Sequence, residues 1–280
     1  LRSSQNSEFL NQLQDSMEEF KVPLEGLHTE TGPGVYEAAL CVADPVEACD
    51  RSILFKTGAK EIAQKHGVMA SFMARWSKEY PGSSGHIHLS LENSKQENLF
   101  YDRTDKNKMS LVFKSFLAGL IKGVPELLPM MAPTVNSYKR LVKGFWAPVQ
   151  MTWGVDNRTC AFRVINNSPS STRVEIRVPG ADMNPYLAVA AVLASGMNGV
   201  EKNLKLESEA FKGNAYEDEK AQKLADNLSE ATKIFKESHL AHDILGENFV
   251  RHFAGTREWE WQQYQQSVSD WELKRYFEII

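Results

Sequence analysis

RVEIRVPGADMNPYLAVAA, residues 173–191, joins a strand-like segment to a helical one and decides how the chain reads. In a strand, Arg173, Glu175 and Arg177 share one face, because successive side chains alternate sides. Asn184 and Pro185 then supply a cap and a first-turn proline for an alanine-rich, largely buried helix that should end near Gly199. One carboxylate between two guanidinium groups suits phosphate or carboxylate clamping. On a surface strand it is equally an ordinary ion-pair ladder.

Working outward, strands are expected at "VQMTWGV" (149–155), "CAFRVI" (160–165) and "HIHLSL" (86–91), where His86 and His88 share a face. "VMASFMARW" (68–76) also has a β-like composition. "HTETGPGVYEAAL" (28–40) reads as a hairpin whose turn brings Glu30 and Glu37 together. Helical spacing recurs at Phe9, Leu10, Leu13, Met17 and Phe20, after Asp44-Pro45, and over about 109–129 with an interruption near Pro125. It returns from about Leu224 to the end. Strands and helices come mixed without βαβ regularity, so the expected class is α+β with an antiparallel sheet.

The 280 residues carry a formal net charge of -4, and 42% are hydrophobic. Those values imply no bulk attraction to nucleic acid or to an anionic membrane. No apolar run approaches the ~20 residues needed to span a bilayer. Cys41, Cys49 and Cys160 lack metal-ligand spacing, which fits a reduced, cytoplasmic setting. The chain starts without Met and runs almost at once into a helical pattern, as part of a longer protein would.

Glu30, Glu37, His86 and Glu175 make a set of carboxylates with one imidazole, which suits Mg²⁺ or Mn²⁺ better than structural zinc. Taken singly, each of these residues has a plain structural reading. Together with "GSSGHIHLSL" (82–91), "NSYKRLV" (136–142), "NRTCAFR" (157–163) and "VSDWELKRY" (268–276), in this order, they resemble the glutamine synthetases over nearly the whole chain. The likeness is greatest to the branch with "GPG" between the first two glutamates, which includes γ-glutamyl-amine ligases.

The resemblance implies a catalytic domain over residues 1–280, built as a curved antiparallel sheet, or open barrel, with surrounding helices. It implies metal ligands at Glu30, Glu37, His86 and Glu175. It places ATP near His88, Ser90, Arg163 and Arg173, glutamate near Gly82, Arg140 and Arg177, and the transferred phosphoryl near Arg158. The family's N-terminal domain and first metal-binding strand lie outside these residues.

Departures from the family pattern concentrate at the rim. "KGFWAP" (143–148) has Trp146 where glutamine-forming members have a flap glutamate, and an indole has no base to offer. Pro81 replaces an asparagine, Lys143 a proline, and "MARW" (73–76) a usual "MAKP". Together they resemble the family's eye-lens branch. That likeness implies a protein without ligase activity, with vestigial sites and uncertain ATP binding. It further implies a dodecamer of two hexameric rings and a structural or chaperone-like role on intermediate filaments, such as vimentin and the lens beaded filament. Trp146 is then expected over the cavity mouth near Arg140 or Arg177, blocking glutamate. The alternative is an active ligase whose amine is bulkier than ammonia.

Overall fold

The computed structural model describes residues 2–280 and is α+β, as the mixed pattern predicts. Its first half contains α1 (Arg2–Gln5), α2 (Ser7–Glu19), β1 (Leu24–Thr29), β2 (Tyr36–Leu40), α3 (Pro45–Lys65), β3 (Ile87–Leu89), α4 (Leu111–Glu126) and α5 (Val135–Arg140). The second half contains β4 (Trp153–Val155), β5 (Phe162–Ile165), β6 (Arg173–Ile176), α6 (Pro185–Glu201), α7 (Leu228–Glu237), α8 (His239–Leu245), α9 (Glu247–Gln266) and α10 (Asp270–Tyr276).

Four strands form one sheet in the order β3-β6-β5-β4. The β3–β6 and β6–β5 pairs are antiparallel, and β5–β4 is parallel. Alternation sends Ile87, Phe162, Val164, Val174 and Ile176 into the main core. Each such fully buried side chain contributes about 1.5–3 kcal/mol. The opposite face is left with the ionisable residues.

Behind the sheet, α4 and α6 pack backbone to backbone. A Cβ on Gly119 would stand 2.2 Å from the Ser195 carbonyl oxygen, and one on Gly199 would stand 2.2 Å from that of Ser115. Only glycine permits this approach. Asn184 accepts from the backbone N–H groups of Tyr186 and Leu187, so the expected cap starts α6.

β1 and β2 form a separate antiparallel hairpin with His28 opposite Glu37. Its turn needs two left-handed residues, Gly32 at φ +118 and Gly34 at φ +73. Beneath it a smaller core joins Leu13 and Met17 of α2 to Ala59 and Ile62 of α3.

Two expectations are corrected. "VMASFMARW" forms no strand; residues 68–80 are irregular, with Met69, Met73 and Trp76 exposed. Pro125 does not interrupt α4, which runs through it to Glu126. So close to the helix end, a proline removes one backbone bond from a turn that is already terminating.

Candidate active site

The polar face of the sheet is built as cross-strand rows. His88 and Arg163 both stand opposite Glu175, one on each neighbouring strand. Arg163 Nη1 donates to Glu175 Oε2 at 2.8 Å, and Arg177 Nη1 donates to Glu175 Oε1. His86 Nδ1 lies 3.2 Å from Glu175 Oε1. Burial alone would raise the Glu175 carboxyl, but Arg177, His88 and Arg163 outweigh it and hold the pKa below the usual range. Burial, then Arg177 and Arg140, push His86 well below the ordinary histidine value, so its imidazole is neutral near pH 7.

The hairpin brings a second acidic group. Ligand-capable atoms of His28, Glu30 and Glu37 lie within 4.8 Å of one another. His28 Nδ1 stands 3.6 Å from Glu30 and His28 Nε2 stands 3.8 Å from Glu37. Burial raises the Glu37 pKa, Glu30 raises it further, and Glu175 across the cavity adds a smaller push. That last influence sets Glu175 within electrostatic reach of Glu37, while among the described residues the atoms that come within ligand distance of one another are those of His28, Glu30 and Glu37. His28 was missed there, although its place two residues before Glu30 in "HTE" puts both on one strand face.

A hard divalent cation fits these donors. His86 Nε2 is buried with no hydrogen-bond partner, an unpaired nitrogen on a ring whose Nδ1 lies against Glu175.

Around this centre the other expected residues divide by environment. Arg173 Nε donates to His88 Nδ1 at 3.0 Å and its Nη1 donates to the Ser171 carbonyl, which joins two of the expected nucleotide-side residues. Ser90 follows β3, and Arg158 is exposed in the turn between β4 and β5. Arg140 is fully buried, and burial pushes its pKa down to about 10. Its guanidinium donates to the carbonyls of Val178 (2.8 Å) and Arg177 (3.0 Å) and to Ser84 Oγ (2.8 Å). Arg140 thus fastens the end of β6 to the 82–84 loop. A Cβ on Gly82 would collide with the Ala74 carbonyl at 2.1 Å and crowd the Arg140 stem at 3.0 Å, which explains glycine there. Arg177 keeps a buried, unpaired Nε.

The rim differs from expectation. Trp146 makes no cation–π contact with Arg140 or Arg177 among the described residues; it is 50% exposed and takes a left-handed backbone at φ 59. The loop's cation–π contact belongs to Phe145, whose ring lies 4.2 Å from the Arg75 guanidinium. Arg75 is itself fixed, donating from Nε to the Ser77 carbonyl at 2.5 Å and from Nη2 to that of Lys78 at 3.0 Å. Asn136 pairs with both backbone groups of Arg75 at 2.8 Å. Sequence reasoning marked Arg75 only as a departure and missed this anchoring.

The glutamine synthetase catalytic-domain family matches residues 2–276. Type-1 glutamine synthetase 2 of Dictyostelium discoideum is 51% identical over 284 residues, spanning all of this chain and 54% of the relative. A glutamate–isopropylamine ligase of Pseudomonas sp is 42% identical over 282 residues, spanning all of this chain and 61% of the relative. A solved GmaS/ADP complex superposes with TM-score 0.89 at 29% identity, over 98% of this chain and 64% of that one. The chain therefore spans less than two thirds of the length of the relatives it matches.

These relatives overturn the expectation of an inactive, chaperone-like filament protein of lens fibre cells. Both curated ones are named as a synthetase or a ligase, and neither is named as a lens protein. The misreading came from giving the rim substitutions at Trp146, Pro81, Lys143 and residues 73–76 more weight than the carboxylates, imidazoles and arginines that the chain keeps. In motif order, in fold and over residues 2–276, this chain belongs to the glutamine synthetase catalytic-domain family.

Proposed function

We propose that the full-length protein is an ATP-dependent ligase that joins the side-chain carboxylate of glutamate to an amine. The observation that supports the reading is a hairpin cluster of His28, Glu30 and Glu37 whose Glu37 is within electrostatic reach of Glu175, itself paired with Arg163, Arg177 and His86 on the sheet. Two similar relatives of ligase or synthetase name support it.

In this reading Glu30, Glu37, His86 and Glu175 would hold Mg²⁺ or Mn²⁺. When bound, such ions offset the charge that spreads over a transferring phosphoryl group. His88, Ser90, Arg163 and Arg173 face the nucleotide, and Arg158 in its exposed turn meets the phosphoryl in transit. The open Nε of Arg177 meets a carboxylate of glutamate, while Arg140 shapes the wall behind Gly82.

An oxygen of the glutamate side chain attacks the γ-phosphorus of ATP, and the bond to ADP breaks. A neutral amine then attacks the acyl carbon, the C–O bond to phosphate breaks, and one amine proton leaves on the phosphate. The 141–148 loop covers this step from water. Trp146 takes no proton, so the amine must arrive deprotonated.

The same reading makes the full-length protein a ring-forming homo-oligomer in the cytoplasm. Exposed Trp259, Trp271 and Phe277 on the last helices support this as contact surface. Sedimentation as a monomer at micromolar concentration contradicts the ring.

The test is to incubate full-length protein with ATP, glutamate and a panel of amines including ammonium. Phosphate release and the mass of the glutamyl amide are measured together. ATP-dependent formation of one such amide is expected; no amide with any partner overturns the proposal.

A further inference from the structure

We propose that Trp76, Tyr80 and Trp146 form a subsite for the hydrocarbon group of the amine, so that the preferred substrate is a primary amine bearing an aryl or bulky alkyl group. This rests on the ligase reading above and specifies its second substrate.

Two observations set the Trp76–Tyr80 stack at the hairpin tip, and a third ties the loop that carries Trp146 to the same segment. Trp76 stacks on Tyr80 with centroids 5.7 Å apart and planes 18° from parallel, and both stay over 40% exposed. The Tyr80 Cβ stands 3.8 Å from where a Cβ on Gly32 would lie, so the stack begins at the tip of the hairpin that carries His28, Glu30 and Glu37. Arg75, one residue before Trp76, carries Phe145 on its guanidinium, which ties the Trp146 loop to the same segment.

Half-exposed indoles in such positions need a cover. Single exposed apolar residues are ordinary, but a stacked pair left exposed beside an acidic cluster offers an apolar surface next to placed polar groups. An ammonium-handling rim needs a carboxylate, and this rim has none to offer at Trp146. Rings recognise the carbon part of an amine instead, leaving its nitrogen to reach the acyl carbon over the hairpin. The amine's proton follows the route already given, onto the departing phosphate.

The experiment uses full-length protein with ATP and glutamate, comparing kcat/KM for benzylamine and methylamine. The parent protein should favour benzylamine by about tenfold or more, and Trp76→Ala and Trp146→Ala should each lower that ratio about tenfold. Trp76→Phe should retain most of it. Melting curves and sedimentation of each variant show that fold and assembly persist. Equal use of both amines by the parent overturns the subsite while leaving the ligase standing. So does a preference that both alanine variants keep. An alanine variant that disperses the oligomer with the preference intact assigns the rings to a subunit contact and also overturns it. No turnover with benzylamine, methylamine or ammonium removes the ligase reading and the subsite together.

Discussion

The sheet and hairpin parts of the site handle their charge differently. On the sheet, Glu175 is 3% exposed at its side chain and carries Arg163, Arg177 and His86 on its two oxygens. On the hairpin, Glu30 and Glu37 are nearly half exposed, stand against each other, and have only His28 between them. One half is neutralised within the fold and rigid; the other holds uncompensated negative charge. A cation therefore gains most on the hairpin side, while the sheet supplies a fixed frame with one open nitrogen on His86.

The largest expected effect lies on the sheet. Glu175→Gln should destabilise the protein by about 3–5 kcal/mol, because buried Arg177 and part-buried Arg163 lose their shared counter-charge. Urea unfolding of this chain measures it. A loss below about 1 kcal/mol would mean that Asp156, which also pairs with Arg163, carries most of the compensation.

Next comes the rim, held by a buried cation. Arg75→Met should cost about 1–3 kcal/mol, since the Ser77 and Lys78 carbonyls lose a charged donor. Amide exchange should quicken over residues 141–148, where Phe145 loses its platform. Unchanged exchange in that loop would mean that Asn136 alone ties the two segments.

These contrasts explain what the sequence could tell. Strand alternation exposed the sheet half: His86 with His88, and Arg173 with Glu175 and Arg177, share a face wherever those segments are extended. Which strand lies beside which is non-local, so the row His88–Glu175–Arg163 appears only with the register. The hairpin was legible because Gly-Pro-Gly allows few other turns, and its acids followed. Residues 68–76 misled because apolar, β-like composition cannot reveal that Met69, Met73 and Trp76 face outward. There the carbonyls of Ser77 and Lys78 are satisfied by Arg75 rather than by a ladder. Trp146 misled for a related reason: size and position in the loop were visible, but not the left-handed backbone that leaves it half exposed.

On the hairpin, effects on binding should exceed effects on stability. His28→Ala should weaken Mn²⁺ binding by about tenfold, since its imidazole lies between the two carboxylates and orients them. Folding stability should change by less than about 0.5 kcal/mol at so exposed a site. Titration calorimetry with Mn²⁺ separates the two. Unaltered affinity would place His28 outside the cation's reach and leave Glu30 and Glu37 as the hairpin's ligands.

The smallest effect is the sharpest test of this difference in charge, because it turns on sign. Burial and the neighbouring Glu30 raise the Glu37 pKa, so the folded chain holds that proton to higher pH than the unfolded chain does. Losing the proton costs stability, and the cost grows as pH rises toward and through the folded pKa. Glu175 behaves oppositely: its lowered pKa contributes stability that is present above the ordinary carboxylate range and is lost as pH falls through the folded value. Glu37→Gln should therefore raise the melting temperature slightly at neutral pH, with the gain shrinking as the solution is acidified and the parent carboxyl takes up its proton. Added Mn²⁺ should reverse the order, since the parent keeps a ligand that the variant lacks and binding stabilises the folded state. Melting curves from acidic to neutral pH, with and without Mn²⁺, measure all of this in one series. A variant less stable than its parent at neutral pH without metal would show that Glu37 is already compensated. The hairpin would then resemble the sheet, and the division of the cavity into a neutralised frame and an unpaired acidic half would fail.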